Sequence, residues 1–221
     1  MKKILLVEDR TPRQNNFMQE TQIKLSDHSD ILDNMINDDY EACYQAIKEK
    51  KFDFTPYDVI ISHKSAFGED YSLIENEFKK YCKVHSKTLV LFSGGVDSNY
   101  YLKEEDWEQI ELNSKTFYSQ HIKLFLESFR NGLTMPLILS YGEKWKINIL
   151  LNVLENINYI LESNNGCMLY KRFLSSSNIE TLEALNINLY QVNLEGKKIT
   201  KDEIVKVRDD ILNHIESLID E

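Results

Sequence analysis

Three short stretches carry residue types suited to chemistry. Glu8 and Asp9 are adjacent acids that close an apolar run at residues 4–7, and His63 closes another, reading DVIISH. The string SGGVDS, residues 93–98, follows TLVLF. Its glycines, Gly94 and Gly95, let backbone N–H groups approach a pyrophosphate, Ser93 and Ser98 can donate to phosphate oxygens, and Asp97 bears on a metal or on loop geometry. Each has a plain structural counterpart: a solvated acid pair at a strand end, a histidine hydrogen-bonded in a crevice at a sheet edge, and a β-turn of small residues. His28, His85, His121 and His214 show no ligand spacing, and Cys43, Cys82 and Cys167 lie far apart with no CxxC pair, so neither a zinc site nor a disulfide scaffold is indicated. No Ser-His-Asp or Cys-His arrangement emerges, and no catalytic residue is assigned.

These residues need elements to position them. Residues 4–7 are a continuous apolar run, the pattern of a strand buried on both faces of a parallel sheet, and 57–62 and 88–92 give two more short buried-strand patterns. Between them, Thr11 as a cap with Pro12 behind it starts a helix to about Leu25. Ala42, Cys43, Ala46 and Ile47 mark a second helix to about Lys50, and Leu73, Phe78, Tyr81 and Val84 mark a third. Residues 26–38 fit a weak strand or an irregular segment. Alternating strands and helices imply parallel strands joined by crossover helices. Residues 93–114 are too polar and irregular to assign. Beyond them, Tyr118, Ile122, Phe125 and Phe129 predict a core-facing helix, residues 133–140 the next strand, and residues 143–163 a long helix with a wide apolar arc. Asn164, Asn165 and Gly166 make the clearest break. After it come a helix at 178–185, a strand-like alternation at 186–194, and a final helix opened by the capping box Thr200-x-x-Glu203. The stripe Ile204, Val207, Ile211, Ile215 and Leu218 on that helix is either docked on the protein or a dimer seam.

The opening KKILLVEDR resembles the receiver domain of two-component response regulators over roughly residues 1–163. In that family an acidic pair after the first strand, here Glu8 and Asp9, helps bind Mg²⁺. An aspartate at the end of the third strand accepts a phosphoryl group, and the metal neutralises developing charge. The matching position here is His63, and an imidazole cannot replace a carboxylate as an acyl-phosphate former. The family's hydroxyl at the end of the fourth strand falls on Ser93. Its lysine after the fifth strand has only a displaced counterpart, Lys144. The resemblance thus implies a degenerate receiver, or pseudo-receiver, that works through surfaces rather than phosphate. A second, local resemblance competes: SGGVDS is similar to the SGGxDS loop of the PP-loop ATP pyrophosphatases. It implies an ATP- and Mg²⁺-dependent adenylating enzyme using Ser93, Gly94, Gly95, Asp97 and Ser98. In that family, however, the loop follows the first strand and opens a helix.

The 221 residues carry 36 acids against 26 bases, a net charge of −10, which disfavours nucleic acid as a partner. With 42% apolar residues and only seven glycines and three prolines, the chain is folded rather than disordered. No run reaches the ~20 apolar residues of a membrane span, and the N-terminal apolar run is too short for a signal sequence, so a cytoplasmic location is expected. The expected architecture is an α/β, three-layer parallel sheet of flavodoxin-like, receiver-like type at 1–163, with a C-terminal α+β appendage at 164–221. In a parallel sheet Glu8, Asp9, His63, Ser93, Gly94 and Gly95, with Tyr141 and Gly142, share the carboxyl edge where such folds bind ligands. The expected function is a non-catalytic regulatory or protein-interaction module, binding another protein or itself as a homodimer and needing no cofactor. The alternatives are the adenylating enzyme and a structural subunit of a larger complex.

Overall fold

The computed structural model describes residues 3–97, 99–104, 107–174 and 199–219. The chain divides into two compact units, Met1–Glu143 and Lys144–Glu221. The boundary falls some twenty residues before the expected one, so the long helix belongs with the C-terminal unit.

The first unit is α/β. Its strands are β1 (Lys3–Val7), β2 (Leu32–Met35), β3 (Tyr57–His63), β4 (Thr88–Ser93), β5 (Tyr100–Glu104) and β6 (Trp107–Asn113). They form one six-stranded sheet in the order β2-β1-β3-β4-β6-β5, parallel except for β5. The central strands are buried throughout: Ile4 to Val7, Val59 to Ile61 and Leu89 to Phe92 expose nothing. Helices α1 (Thr11–Thr21), α2 (Asn37–Lys48) and α3 (Tyr71–Val84) connect the first four strands. Leu5, Val7, Ile60, Leu89 and Leu91 share one core with Cys43, Ile47, Ile74, Phe78 and Cys82 of α2 and α3. Strand side chains alternate between faces, and Phe92, on the opposite face, stacks on Phe117 with ring centroids 4.2 Å apart. That ring belongs to α4 (Ser114–Phe117), which leads into α5 (Gln120–Arg130).

Two expectations fail here for physical reasons. Residues 133–140 are not a strand; α6 (Leu137–Tyr141) takes up the apolar run, preceded by Pro136 with φ −63°. Proline cannot donate in a central ladder, and its fixed φ suits a helix start. The strand beside β4 is instead β6, inside the unassigned polar stretch, and its acids hid it. Glu108 is buttressed by neighbouring strands, accepting from Thr88 Oγ1 at 3.0 Å and Tyr101 Oη at 2.9 Å. Moreover, β4 reaches β6 through the antiparallel edge strand β5 and not through a helix. Thr11 also departs from its expected role: it is the first residue of α1, and its hydroxyl donates to Asn37 Oδ1 at 3.0 Å instead of capping.

The second unit contains α7 (Trp145–Glu162), α8 (Gly166–Leu174) and α9 (Lys201–Ile219). Ile204, Val207, Ile211 and Ile215 are buried, and α9 packs along α7, so the stripe docks within its own unit. The expected helix at 178–185 and strand at 186–194 lie outside the described residues. Among the described residues no helix is long and apolar enough to cross a membrane.

The capping box forms as the sequence predicts. Glu203 N–H donates to Thr200 Oγ1 at 3.3 Å, and Glu203 Oε2 accepts from Thr200 N–H at 2.8 Å. Thr200→Ala removes one arm of this reciprocal cap and should lower stability by about 1 kcal/mol, read from urea denaturation.

Candidate functional site

At the carboxyl edge of the first unit's sheet, β1 delivers Glu8 and Asp9 and β3 delivers His63. Glu8 still takes part in the ladder, its N–H donating to Met35 O at 3.2 Å, which turns its side chain into the protein with no exposure. A carboxylate without water must be satisfied by protein donors. Oε1 accepts from the Arg10 N–H at 3.0 Å, and Oε2 accepts from the Tyr118 hydroxyl at 3.0 Å. The Arg13 guanidinium, one turn into α1, lies 3.5 Å from Oε1. Gln14, fully buried beside it, donates to Tyr118 Oη at 3.3 Å and exchanges amide hydrogen bonds with Asn34.

His63 completes the group. Arg13 Nη2 stands 2.7 Å from Nε2 and 3.1 Å from Nδ1, and the Ser65 backbone N–H donates to Nδ1 at 3.3 Å. Ser65 Oγ also lies 2.8 Å from Nδ1. Asp9 Oδ1 approaches Nδ1 to 3.2 Å, and this buried oxygen forms no hydrogen bond. Asp9 Oδ2 faces Arg10 Nε at 3.5 Å. Each acid thus has a guanidinium beside it.

Environment drives the two carboxyls apart. Burial pushes Glu8 above its ordinary range, against the opposing pull of His63 and Arg13. Burial also works against the Asp9 anion, but close contact with His63 and Glu8 outweighs it and holds Asp9 at about 2. Burial and the nearby Glu8 charge drive the Tyr118 phenol well above its ordinary value, which keeps it a donor.

The ligand atoms of Glu8, Asp9 and His63 all lie within 4.8 Å of one another, a spacing that can hold a cation. The guanidinium of Arg13 already supplies positive charge there. Mg²⁺ favours oxygen ligands in octahedral array, and this set offers two carboxylates and an imidazole.

Ser93 follows on the next strand, since His63 registers with Phe92. The glycine loop behind it is closed on itself. Gly95 N–H donates to Ser93 Oγ at 3.3 Å, and Asn113 Nδ2 donates to Val96 O at 2.9 Å and to Gly94 O at 3.4 Å. Neither Gly94 nor Gly95 adopts a positive φ, and the loop runs on towards β5, so it does not itself open a helix. Asp97 is exposed, and Ser98 lies outside the described residues. Tyr141 and Gly142 end α6 rather than a strand, with Gly142 packed against the His121 ring. Lys144 belongs to the second unit. The strand in fifth parallel position ends at Asn113, and the lysine that follows it is Lys115, two residues on in α4 and exposed, rather than Lys144.

Sequence reading missed Arg13, Gln14, Ser65 and Tyr118. Arg13 sits four residues after Asp9 at the start of a helix, a spacing that could have suggested an ion pair. Tyr118 is separated from Glu8 by 110 residues and left no local signal. No family model, curated protein or solved structure matches the chain.

At an effective dielectric of ~20, charges 3.5 Å apart attract by about 5 kcal/mol, comparable with the several kcal/mol lost on burying an ion. The pair therefore roughly breaks even, whereas leaving Glu8 unpaired is costly. Arg13→Met should destabilise by about 3 kcal/mol, and Glu8→Gln in the same chain should recover most of it, in a urea-denaturation double-mutant cycle. For pH the signs oppose. A depressed Asp9 stabilises the fold above its ordinary value of 3.8 and loses that contribution as pH falls towards about 2. A raised Glu8 favours the fold when protonated, so its contribution fades as pH rises through the folded-state value. Asp9→Asn should accordingly flatten the loss of stability between about pH 4 and about pH 2, measured by chemical denaturation at each pH.

Proposed function

We propose that the chain is a receiver-like regulatory module that works by associating with another protein or with a second copy, and not by phosphoryl transfer. The observation that carries this reading is His63: it stands at the third-strand position where a receiver needs its aspartate, 3.2 Å from Asp9 and 2.7 Å from Arg13. Imidazole cannot form the acyl phosphate, and the guanidinium beside it stands in for the positive charge that a metal would bring.

The strand order supports the flavodoxin-like part of the proposal, because its first four parallel positions and the fifth follow the 2-1-3-4-5 pattern of that class, with β5 added at the edge. Ser93 at the end of the fourth strand agrees with the receiver pattern as well. The helix expected between the fourth and fifth strands is replaced by β5. A cytoplasmic location belongs to the same proposal. Burial pushes the Cys43 and Cys82 thiols to about 12, so both behave as packed apolar groups that need no oxidising compartment.

The adenylating alternative draws on the SGGVDS string, but the loop's hydroxyl and one of its N–H groups are already engaged, which counts against it. The role of structural subunit differs from the leading proposal only in what the contact achieves.

Incubation with acetyl phosphate and Mg²⁺ followed by intact-mass measurement should show no added phosphate. An adduct that disappears in Glu8→Gln and Asp9→Asn variants would overturn the proposal. In the same series, ATP with Mg²⁺ should leave the melting temperature unchanged, whereas a nucleotide at ~100 times its dissociation constant would add ~2.7 kcal/mol of stability.

A further inference from the structure

Away from the carboxyl edge, the first unit carries a groove of about 290 Å³ between the end of α2, the loop after it and the outer face of α3. Its walls are Ile47, Phe52, Phe54, Tyr81 and Val84, and its rim holds Lys50, Glu77, Lys80 and His85. The volume lies at the small end for ligand sites, suited to one or two side chains rather than a cofactor. Val84 is 67% exposed, although it lines an otherwise apolar wall.

The groove is built in advance. Lys50 takes a positive φ of 57° as α2 ends, and the N–H groups of Lys51 and Phe52 both donate back to Ala46 O, at 2.8 and 3.1 Å. Tyr81 Oη donates to Phe54 O at 2.8 Å, pinning the loop to α3. The rings brace one another: Phe52 and Phe54 at 4.8 Å, Phe54 and Tyr81 at 5.1 Å, Tyr81 and His85 at 4.6 Å. A partner therefore meets ordered walls and loses little entropy fixing them.

Charge decides the occupant. The chain carries −10 overall, yet the groove's rim has two lysines against one acid. Lys50 lies 3.5 Å from Glu77, while Lys80 has no ion-pair partner among the described residues. With Lys50 offset by Glu77, Lys80 leaves the rim one uncompensated positive charge, which favours an acidic segment. Base stacking needs free ring faces, but the Tyr81 ring lies between Phe54 and His85, so the walls favour a seated side chain over a nucleic-acid base.

We propose that this groove docks an acidic peptide segment of a partner protein, with one aromatic or leucine side chain seated between Phe52, Phe54 and Val84 and its flanking carboxylates on Lys50 and Lys80. This extends the association reading by naming a surface, but it uses none of the residues at positions 8, 9, 13 or 63.

The full chain is titrated by fluorescence anisotropy into four labelled probes: a short peptide of aspartates and glutamates around one tryptophan, the same peptide with alanine for tryptophan, a lysine-rich peptide around tryptophan, and oligothymidylate. The acidic tryptophan peptide should bind at least about tenfold more tightly than each of the others, and raised salt should weaken it. Lys80→Glu and Val84→Gln, both at exposed positions, should each reduce that affinity about tenfold with the circular dichroism spectrum unchanged. Equal binding of the alanine peptide, a preference for oligothymidylate, or unaltered affinity in both variants overturns the proposal. The phosphorylation assay is read independently, so either idea can fail without the other.

Discussion

A carboxylate with no exposure to solvent, Glu8 at the end of β1, is the constraint around which the first unit is arranged. Its burial is costly unless donors converge on it, and they come from places remote in sequence: the Arg10 amide in the turn, Arg13 in α1, and Tyr118 at the end of α4. The ring stacking of Phe17 on Tyr118, with centroids 5.4 Å apart, belongs to the same convergence, since it holds the phenol over the carboxylate. A buried charge of this kind adds little net stability, but it rejects arrangements that leave it unpaired. Its contribution is specification: α1, α4 and β3 must all reach the end of β1 together.

The same arrangement determines what the edge can do. Open α/β sheets commonly bind ligands beyond the carboxyl ends of their strands, and an exchangeable site there needs unsatisfied polar groups or mobile charge. Here Arg13 is set between Glu8 and His63, Arg10 faces Asp9, Lys64 pairs with Glu111 at 2.6 Å, and Asn113 ties down the glycine loop. The edge is largely hydrogen-bonded to itself. The association proposed for the chain would then fall to the helical flanks, where apolar side chains remain partly open.

How much of this was legible follows from how local each signal is. The three central strands were readable because a strand buried on both faces needs an apolar run, and residues 4–7, 59–61 and 89–92 supply one without reference to neighbours. Strand β6 was not readable, because Glu108 and Glu111 are admissible inside it only through Thr88, Tyr101 and Lys64, which belong to other strands or loops. The run in α6 fits either state by hydrophobicity, and Pro136 was the overlooked discriminator. In the site, Glu8, Asp9 and His63 could be placed as strand-end residues. Arg13 and Tyr118 could not, because their role depends on helix phase and on a contact made across 110 residues.

Lysines near the ends of α2 and α3 have an ordinary explanation that must be separated from recognition. The carboxyl end of a helix carries partial negative charge, and a cation in the last turn is favoured by roughly 0.3–1 kcal/mol. Lys48 and Lys83 occupy those last turns, and both also pair with acids, Asp70 and Glu104. Their presence is accounted for without a partner. The rim lysine Lys80 is different, since it precedes the last turn of α3, where the dipole has largely decayed, and it has no ion pair among the described residues. Val84 is likewise unexplained by helix formation, because β-branched residues are neutral to unfavourable in helices and this one stays mostly in solvent. A charge and an apolar side chain lie on the same groove, and neither is required by the helix that bears it. Local structure therefore does not explain that pairing, whereas the docking proposed for the groove would.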